Sequence, residues 1–385
     1  MKKISSIIFF IVSIVFSTIY TPQAILPTLK SVFKISILET NLLLSSILFV
    51  LMIFTPMYIV LSKHFDKKNI MLGSIFFLFL SFVLSASAPN FEILLLSRIL
   101  QGIFIPGITV IMLFYVYELY PPTHIGFGMG IYMAATGFGA VFGRLLAGWV
   151  TTIYSYKVTF AVFAGMLLVV LFIISIGIPS SKPKKVLESN KKESLLYYFS
   201  NFQISSVLFL SAIIFFSFMA ITSFVTYYLS SPPFNFNSQY TSNIFLVLFL
   251  GIITSLISGK LSDKIGSLKI LFFGSIILIL GILLTLIKSP ILIIAGIGIV
   301  TIGMFSVQSV TLAYLGKLMP NKKNELGVIY QTIFYLGGSL GTFIPAIAWK
   351  YHQYYGVAIL CLVVTSLAII GLFYTSLHSS SSSKK

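Results

Sequence analysis

The sequence predicts an all-α membrane protein with twelve transmembrane helices in two pseudo-symmetric six-helix bundles. Three observations carry that prediction. First, 58% of the 385 residues are hydrophobic and only 9% charged, with a mean hydropathy of +1.05; an ordinary soluble domain carries about 25% charged residues, so this chain expects lipid as its solvent. Second, apolar runs of roughly 20 residues, the length that crosses a bilayer, recur about twelve times. Third, the polar turn GKLSDKIG (Gly259 to Gly266) has a weaker copy 197 residues earlier, SKHFDKKN (Ser62 to Asn69), with Asp66 and Lys67 in the places of Asp263 and Lys264. A chain built from two copies of one design is a common construction among transporters.

The expected spans run, in order, over 4–29, 37–61, 70–89, 92–118, 122–151 and 157–178, then 201–230, 238–261, 269–287, 290–316, 323–350 and 354–376. The first begins Met1-Lys2-Lys3, as a secretory leader does, but no small-residue cleavage site follows and eleven further spans do, so a retained helix is expected. Between the sixth and seventh spans lies the one long hydrophilic interruption, PSSKPKKVLESNKKES, whose Pro, Ser and Lys content suits a solvated linker. The expected organisation is therefore an N-terminal bundle over 1–178, a cytoplasmic linker over 179–200, a C-terminal bundle over 201–376 and a disordered cytoplasmic tail over 377–385.

Charge placement fixes the expected topology. The formal charge of +17 invites a nucleic-acid partner, yet with both termini in the cytoplasm 18 lysines fall on the inner side and 5 on the outer, leaving two arginines within spans. Basic loops are retained on the cytoplasmic face, so topology explains the charge and no nucleic acid is expected. The chain reads as a multi-pass protein of the cytoplasmic membrane. Cys361, the single cysteine, lies in the last apolar run and has no internal disulfide partner. The histidines His64, His124, His352 and His378 are scattered over loops and the tail, so no metal-ligand set, cofactor site or catalytic constellation is expected, and the protein is read as no enzyme.

Several stretches then resemble one family. The Gly259-x-x-x-Asp263-Lys264-x-Gly266 turn, Arg98-Ile-Leu-Gln101-Gly102 in the fourth span, and Gly130, Gly139, Gly143, Arg144, Ala147 and Gly148 in the fifth resemble motifs of the major facilitator superfamily. The fifth-span set is similar to its antiporter motif, with Arg144 where proline is usual and Ala147 for one glycine. Tyr20-Thr-Pro22-Gln23-Ala-Ile-Leu-Pro27 resembles helix one of bacterial drug-efflux members, of the drug:proton antiporter type and its acriflavine-sensitivity branch. The resemblance covers nearly the whole chain. It implies alternating access by two rocking bundles, a small-molecule substrate, protons as a candidate coupling ion, membrane lipid as surroundings and a monomer.

The resemblance also implies a cytoplasmic latch of Asp66, Lys67, Gly259, Asp263, Lys264 and Gly266, in which Asp66 meets the start of the eleventh span near Asn321 to Glu325 and Asp263 the start of the fifth near Thr123. The alternative is that both aspartates are ordinary turn residues. Small residues let helices approach closely in lipid, so Gly130, Gly139, Gly143, Gly148 and Gly338 read as helix packing at the seam between the halves.

An uncompensated arginine at mid-span costs about 2.5 to 3.5 kcal/mol on insertion scales. Arg98 and Arg144 are accordingly expected to face a wet cavity or a partner, in a cluster with Tyr20, Gln23 and Gln101; pairing with backbone carbonyls is the plainer alternative. The second half contributes neutral candidates for substrate contact, namely Ser223, Tyr227, Gln308, Gln331 and Tyr335. All eight acidic residues fall at span ends or in loops, whereas proton-coupled export of cations commonly uses a carboxylate deep in a helix. The two functional readings are efflux of drugs or metabolites coupled to the proton gradient, which the resemblance implies, and transport of an anionic or zwitterionic metabolite through Arg98 and Arg144.

Overall fold

The structure, a computed structural model, describes residues 2–121, 124–181, 195–319 and 323–382. The described residues form helices and no strands: α1 (Lys2–Tyr20), α2 (Leu26–Phe33), α3 (Ile37–Leu61), α4 (Lys67–Ser87), α5 (Phe91–Phe104), α6 (Pro106–Leu119), α7 (Ile125–Ile153), α8 (Tyr156–Gly177), α9 (Leu195–Ser200), α10 (Phe202–Ser230), α11 (Ser238–Asn243), α12 (Phe249–Ile265), α13 (Ser267–Thr285), α14 (Pro290–Leu318), α15 (Lys323–Phe343) and α16 (Pro345–Ser382). Eleven stretches among them are long and apolar enough to cross a membrane. The twelfth, α15, is long enough but is diluted by Gln331, Thr332, Ser339 and Thr342. The chain is a multi-pass membrane protein whose outer faces carry bare apolar side chains, with Ile176 85% and Ile370 64% exposed.

Helix ends are set by local chemistry, because a backbone amide released at a membrane boundary needs a partner. Ser36 and Glu39 form a reciprocal capping box at the start of α3. Asp66, Asn90, Ser155 and Asn237 cap α4, α5, α8 and α11. Gly266, at φ +98°, lets the chain turn sharply between α12 and α13 where a side chain would be strained. Proline divides spans rather than ending them: Pro106 separates α5 from α6, and Pro345 separates α15 from α16. Within α16 the helical dihedrals break at His352 and Gln353, which marks the turn between the expected eleventh and twelfth spans.

The described chain packs as two compact units, residues 1–187 with 226–246, and 188–225 with 247–385. The C-terminal end of α10 and all of α11 thus pack with the first unit, where a Cβ on Gly148 would overlap Ser242 and the Trp149 indole donates to Asn243 Oδ1 at 2.7 Å.

Gly139, Gly143 and Gly338 pack within their own halves, which corrects the expected seam for those three, whereas Gly148 packs on Ser238 and Ser242 of the second half. A Cβ on Gly139 or Gly143 would overlap the carbonyls of Ser13 and Ser17, so α7 lies directly on α1. In the second unit Gly337 and Gly341 meet the carbonyls of Ala212 and Phe216 on α10, and Gly338 receives the Phe215 ring. Among the described residues Gly130, expected to pack, has nothing within 4 Å of a Cβ, and neither has Gly259.

Candidate functional site

The expected cluster around the two arginines divides into two sets, Arg98 with Gln101 and Arg144 with Tyr20 and Gln23. Arg98 is fully buried on α5, seven residues from the start of its span. Its Nε donates to Leu43 O at 3.0 Å, its Nη1 to Thr18 O at 3.2 Å and to Gln101 Oε1, and its Nη2 to Ile19 O at 2.7 Å. Gln101 passes the chain on, donating to Ser85 Oγ at 2.9 Å. Leu43, Thr18 and Ile19 lend carbonyls to a cation that lies in hydrocarbon. Arg98 therefore ties α5 to α1 and α3.

Arg144 is arranged differently. It is 1% exposed on α7, and its Nε donates to Gln23 Oε1 at 2.7 Å and its Nη1 to Ala140 O at 2.5 Å. The guanidinium carbon sits 4.1 Å from the centre of the Tyr20 ring and 5.0 Å from that of Phe245. The close seat of α7 on α1, permitted by Gly139 and Gly143, is what brings Arg144 to Tyr20 and Gln23. Among the described residues neither arginine meets a carboxylate. Ring faces and amide dipoles compensate Arg144 and leave its net positive charge in place.

Of the remaining candidates, Tyr227 is buried in the first unit, where its hydroxyl accepts from Asn41 Nδ2 at 3.4 Å. Ser223 is fully buried in the second unit. Gln308, Gln331 and Tyr335, also in the second unit, are each partly exposed.

The two polar turns hold their aspartates in local company. Asp66 accepts from Lys68 N at 2.7 Å and from the Ser180 hydroxyl. Burial pushes this carboxyl up, but bonds from Ser180 Oγ and the backbone amides of Lys68, Ser181 and Asn69 outweigh that and hold it below the usual carboxylate range. Lys67, with 9% of its side chain exposed, pairs with Glu118 Oε1 at 2.6 Å, and Ser181 Oγ donates to Glu118 Oε2 at 2.6 Å. In the second unit Asp263 pairs with Lys317 at 3.2 Å, and Lys264 is exposed at the end of α12. The helix starts expected to receive these aspartates, Thr123 and Asn321 to Glu325, lie outside the residues whose side chains are described.

Phe245, Ser180 and Ser181 escaped the sequence reading, and Glu118, read from sequence only as a candidate proton carrier beside Asp66, is found paired with Lys67. A ring placed 101 positions from the arginine it covers leaves no periodic signal, and serines at a linker's edge read as solvated.

A chain of paired helical units that buries guanidinium groups inside apolar spans is a polytopic transport protein rather than a soluble one. The family model of the Major Facilitator Superfamily matches residues 8–342, and the chain belongs to that superfamily. It is 27% identical over 345 residues to YybF of Bacillus subtilis (strain 168), an uncharacterised MFS-type transporter, covering 89% of this chain and 85% of that one. It is 22% identical over 370 residues to the inner membrane transport protein YnfM of Escherichia coli (strain K12), covering 94% and 87%. Among solved structures it is similar to a bacterial homologue of the human lysosomal transporter Spinster in an inward-facing and occupied conformation, with TM-score 0.80 and 15% identity over 97% of this chain and 96% of that one. It is also similar to the human organic anion transporter MFSD10, with TM-score 0.69 and 16% identity over 96% and 99%. These structural likenesses establish the fold alone; the family match and the transporter relatives make the chain a membrane transporter and not an enzyme.

Proposed function

We propose that this transporter carries a small organic anion or zwitterion across the cytoplasmic membrane by alternating access of its two bundles, with Arg144 holding the substrate's charge. The observation that supports the reading is a buried guanidinium within an apolar span whose described partners are an amide, a carbonyl and two rings. A cation left without a counter-ion in hydrocarbon is costly, and a bound anion removes that cost at each cycle. Tyr20 and Gln23 orient the group, Phe245 covers it, and Arg98 with Gln101 braces the helices around it. Ser223, Tyr227, Gln308, Gln331 and Tyr335 are the neutral contacts proposed for the rest of the solute. A neighbouring fold described as an organic anion transporter agrees with this choice.

The second reading, proton-coupled efflux of drugs or metabolites, is favoured by the likeness of residues 20–27 and of the α7 motif to drug-efflux members. The carboxylates weigh against it. Glu39, Glu92 and Asp263 sit at helix ends, Asp66 caps α4 and is held below its usual range, and Glu118 is paired with Lys67. Under either reading both termini are cytoplasmic, the protein works as a monomer, and Asp66, Lys67, Asp263, Lys264 and the turn glycines Gly259 and Gly266 form the latch that holds one state.

Uptake into vesicles of defined pH decides between them. With a panel of organic anions and lipophilic cations, Arg144→Gln is expected to lower anion transport by about tenfold or more, the effect of losing a charge-assisted contact of about 1.4 kcal/mol or above. Cation movement that survives Arg144→Gln and tracks the proton gradient would instead establish the second reading.

A further inference from the structure

Resting on the reading that a small organic anion is the solute, we infer that the second unit holds a subsite for a planar aromatic ring, built on α10, α14 and α15. Phe215 and Phe334 stack with centroids 4.0 Å apart and planes 7° from parallel. Phe218 continues from Phe215 at 6.3 Å, and Phe305 meets Phe218 edge-on at 6.4 Å. Tyr330 adjoins Phe334 at 5.5 Å. All five lie near the middle of their spans, where transporter substrates bind at the bilayer's midplane.

Two features set this group apart from ordinary packing. α15 already touches α10 through Gly337 and Gly341, and Gly338 fixes the Phe215 ring in place, so the rings are a rigid platform rather than the means of holding the helices together. The Tyr330 hydroxyl, on a residue 8% exposed, has no hydrogen-bond partner among the described residues. A hydroxyl stranded in hydrocarbon is unfavourable until something accepts its proton.

Around the platform Phe305, Gln308 and Gln331 are partly exposed, and neither amide has a hydrogen bond among the described residues. Stacking of a ligand ring on the partly exposed Phe305, backed by the buried Phe218, Phe215 and Phe334, with a polar ring substituent accepting from Tyr330, uses each of these groups. The solute is thus an amphipathic aromatic acid carrying a polar ring substituent.

Calorimetry on the full chain in detergent tests this with 2-naphthoate, its saturated counterpart decahydro-2-naphthoate, and 6-hydroxy-2-naphthoate. Naphthoate is expected to bind about tenfold tighter than the saturated ring, Phe334→Leu to bring the two within about twofold, and Tyr330→Phe to remove only the advantage of the 6-hydroxyl. Equal binding of both rings to the wild type, or a ratio unmoved by Phe334→Leu, overturns the subsite; so does a 6-hydroxyl advantage that persists in Tyr330→Phe. Loss of both rings in Arg144→Gln without any ring preference leaves the anion reading standing and the subsite refuted. A ring preference indifferent to Arg144→Gln does the reverse, and binding of no probe refutes both.

Discussion

The two polar turns of this transporter carry the same aspartate and lysine, yet one is knitted into its unit and the other lies bare. In the first, Lys67 is buried against Glu118 while Ser180 and Ser181 close over Asp66 and Glu118. In the second, Asp263 and Lys317 meet with side chains 73% and 59% exposed. By sequence the second copy is the better match to the motif, with Gly259 and Gly266 where the first has Ser62 and Asn69. Resemblance to a motif therefore does not rank how firmly it is engaged. What ranks it is whether a third segment, here the start of the linker, arrives to exclude water.

The largest effect that would break this contrast is at Glu118. Its replacement by alanine leaves a buried lysine uncompensated, and the thermal unfolding midpoint in detergent is expected to fall by the equivalent of about 2–4 kcal/mol. A change as small as that at Asp263 would mean the first turn is no better anchored than the second. Next comes Asp66→Asn, which keeps a capping side chain but removes the negative charge at the start of α4 and is expected to cost about 0.3–1 kcal/mol. The sign with pH follows from the depressed carboxyl. Its stabilising part is present above the unfolded value of about 4 and is lost as pH falls through the folded-state value, so wild type and variant should converge in acid. The smallest effect is Asp263→Asn, at most about 0.5 kcal/mol at low salt and nothing measurable at 1 M salt, where charges are screened within about 3 Å.

A similar lesson holds for the small residues. The sequence pairs Gly139 with Gly338 at an offset of 199, whereas the contacts pair Gly139 and Gly143 with Gly337 and Gly341 at 198, each set meeting carbonyls on the first helix of its own half. Sequence register found the right helices, but only packing says which glycine is buried. Gly130 and Gly139 look alike in the string, and one of them faces open space.

The sequence by itself determined the solvent, the spans and their ends, the duplication and the family, because each depends on composition or on residues close along the chain: apolar length, a capping side chain, a proline, a turn glycine. It also marked both arginines as exceptional, since a charge amid hydrocarbon is visible without coordinates. Only the tertiary structure decided what each arginine does. Arg98 is absorbed by carbonyls of α1 and α3, whereas Arg144 keeps its charge between Tyr20 and Phe245, a difference fixed by which helices approach at that depth. Compensation of a buried charge is a property of three-dimensional neighbours, and those supplied by other helices lie 55 to 124 positions away along the chain.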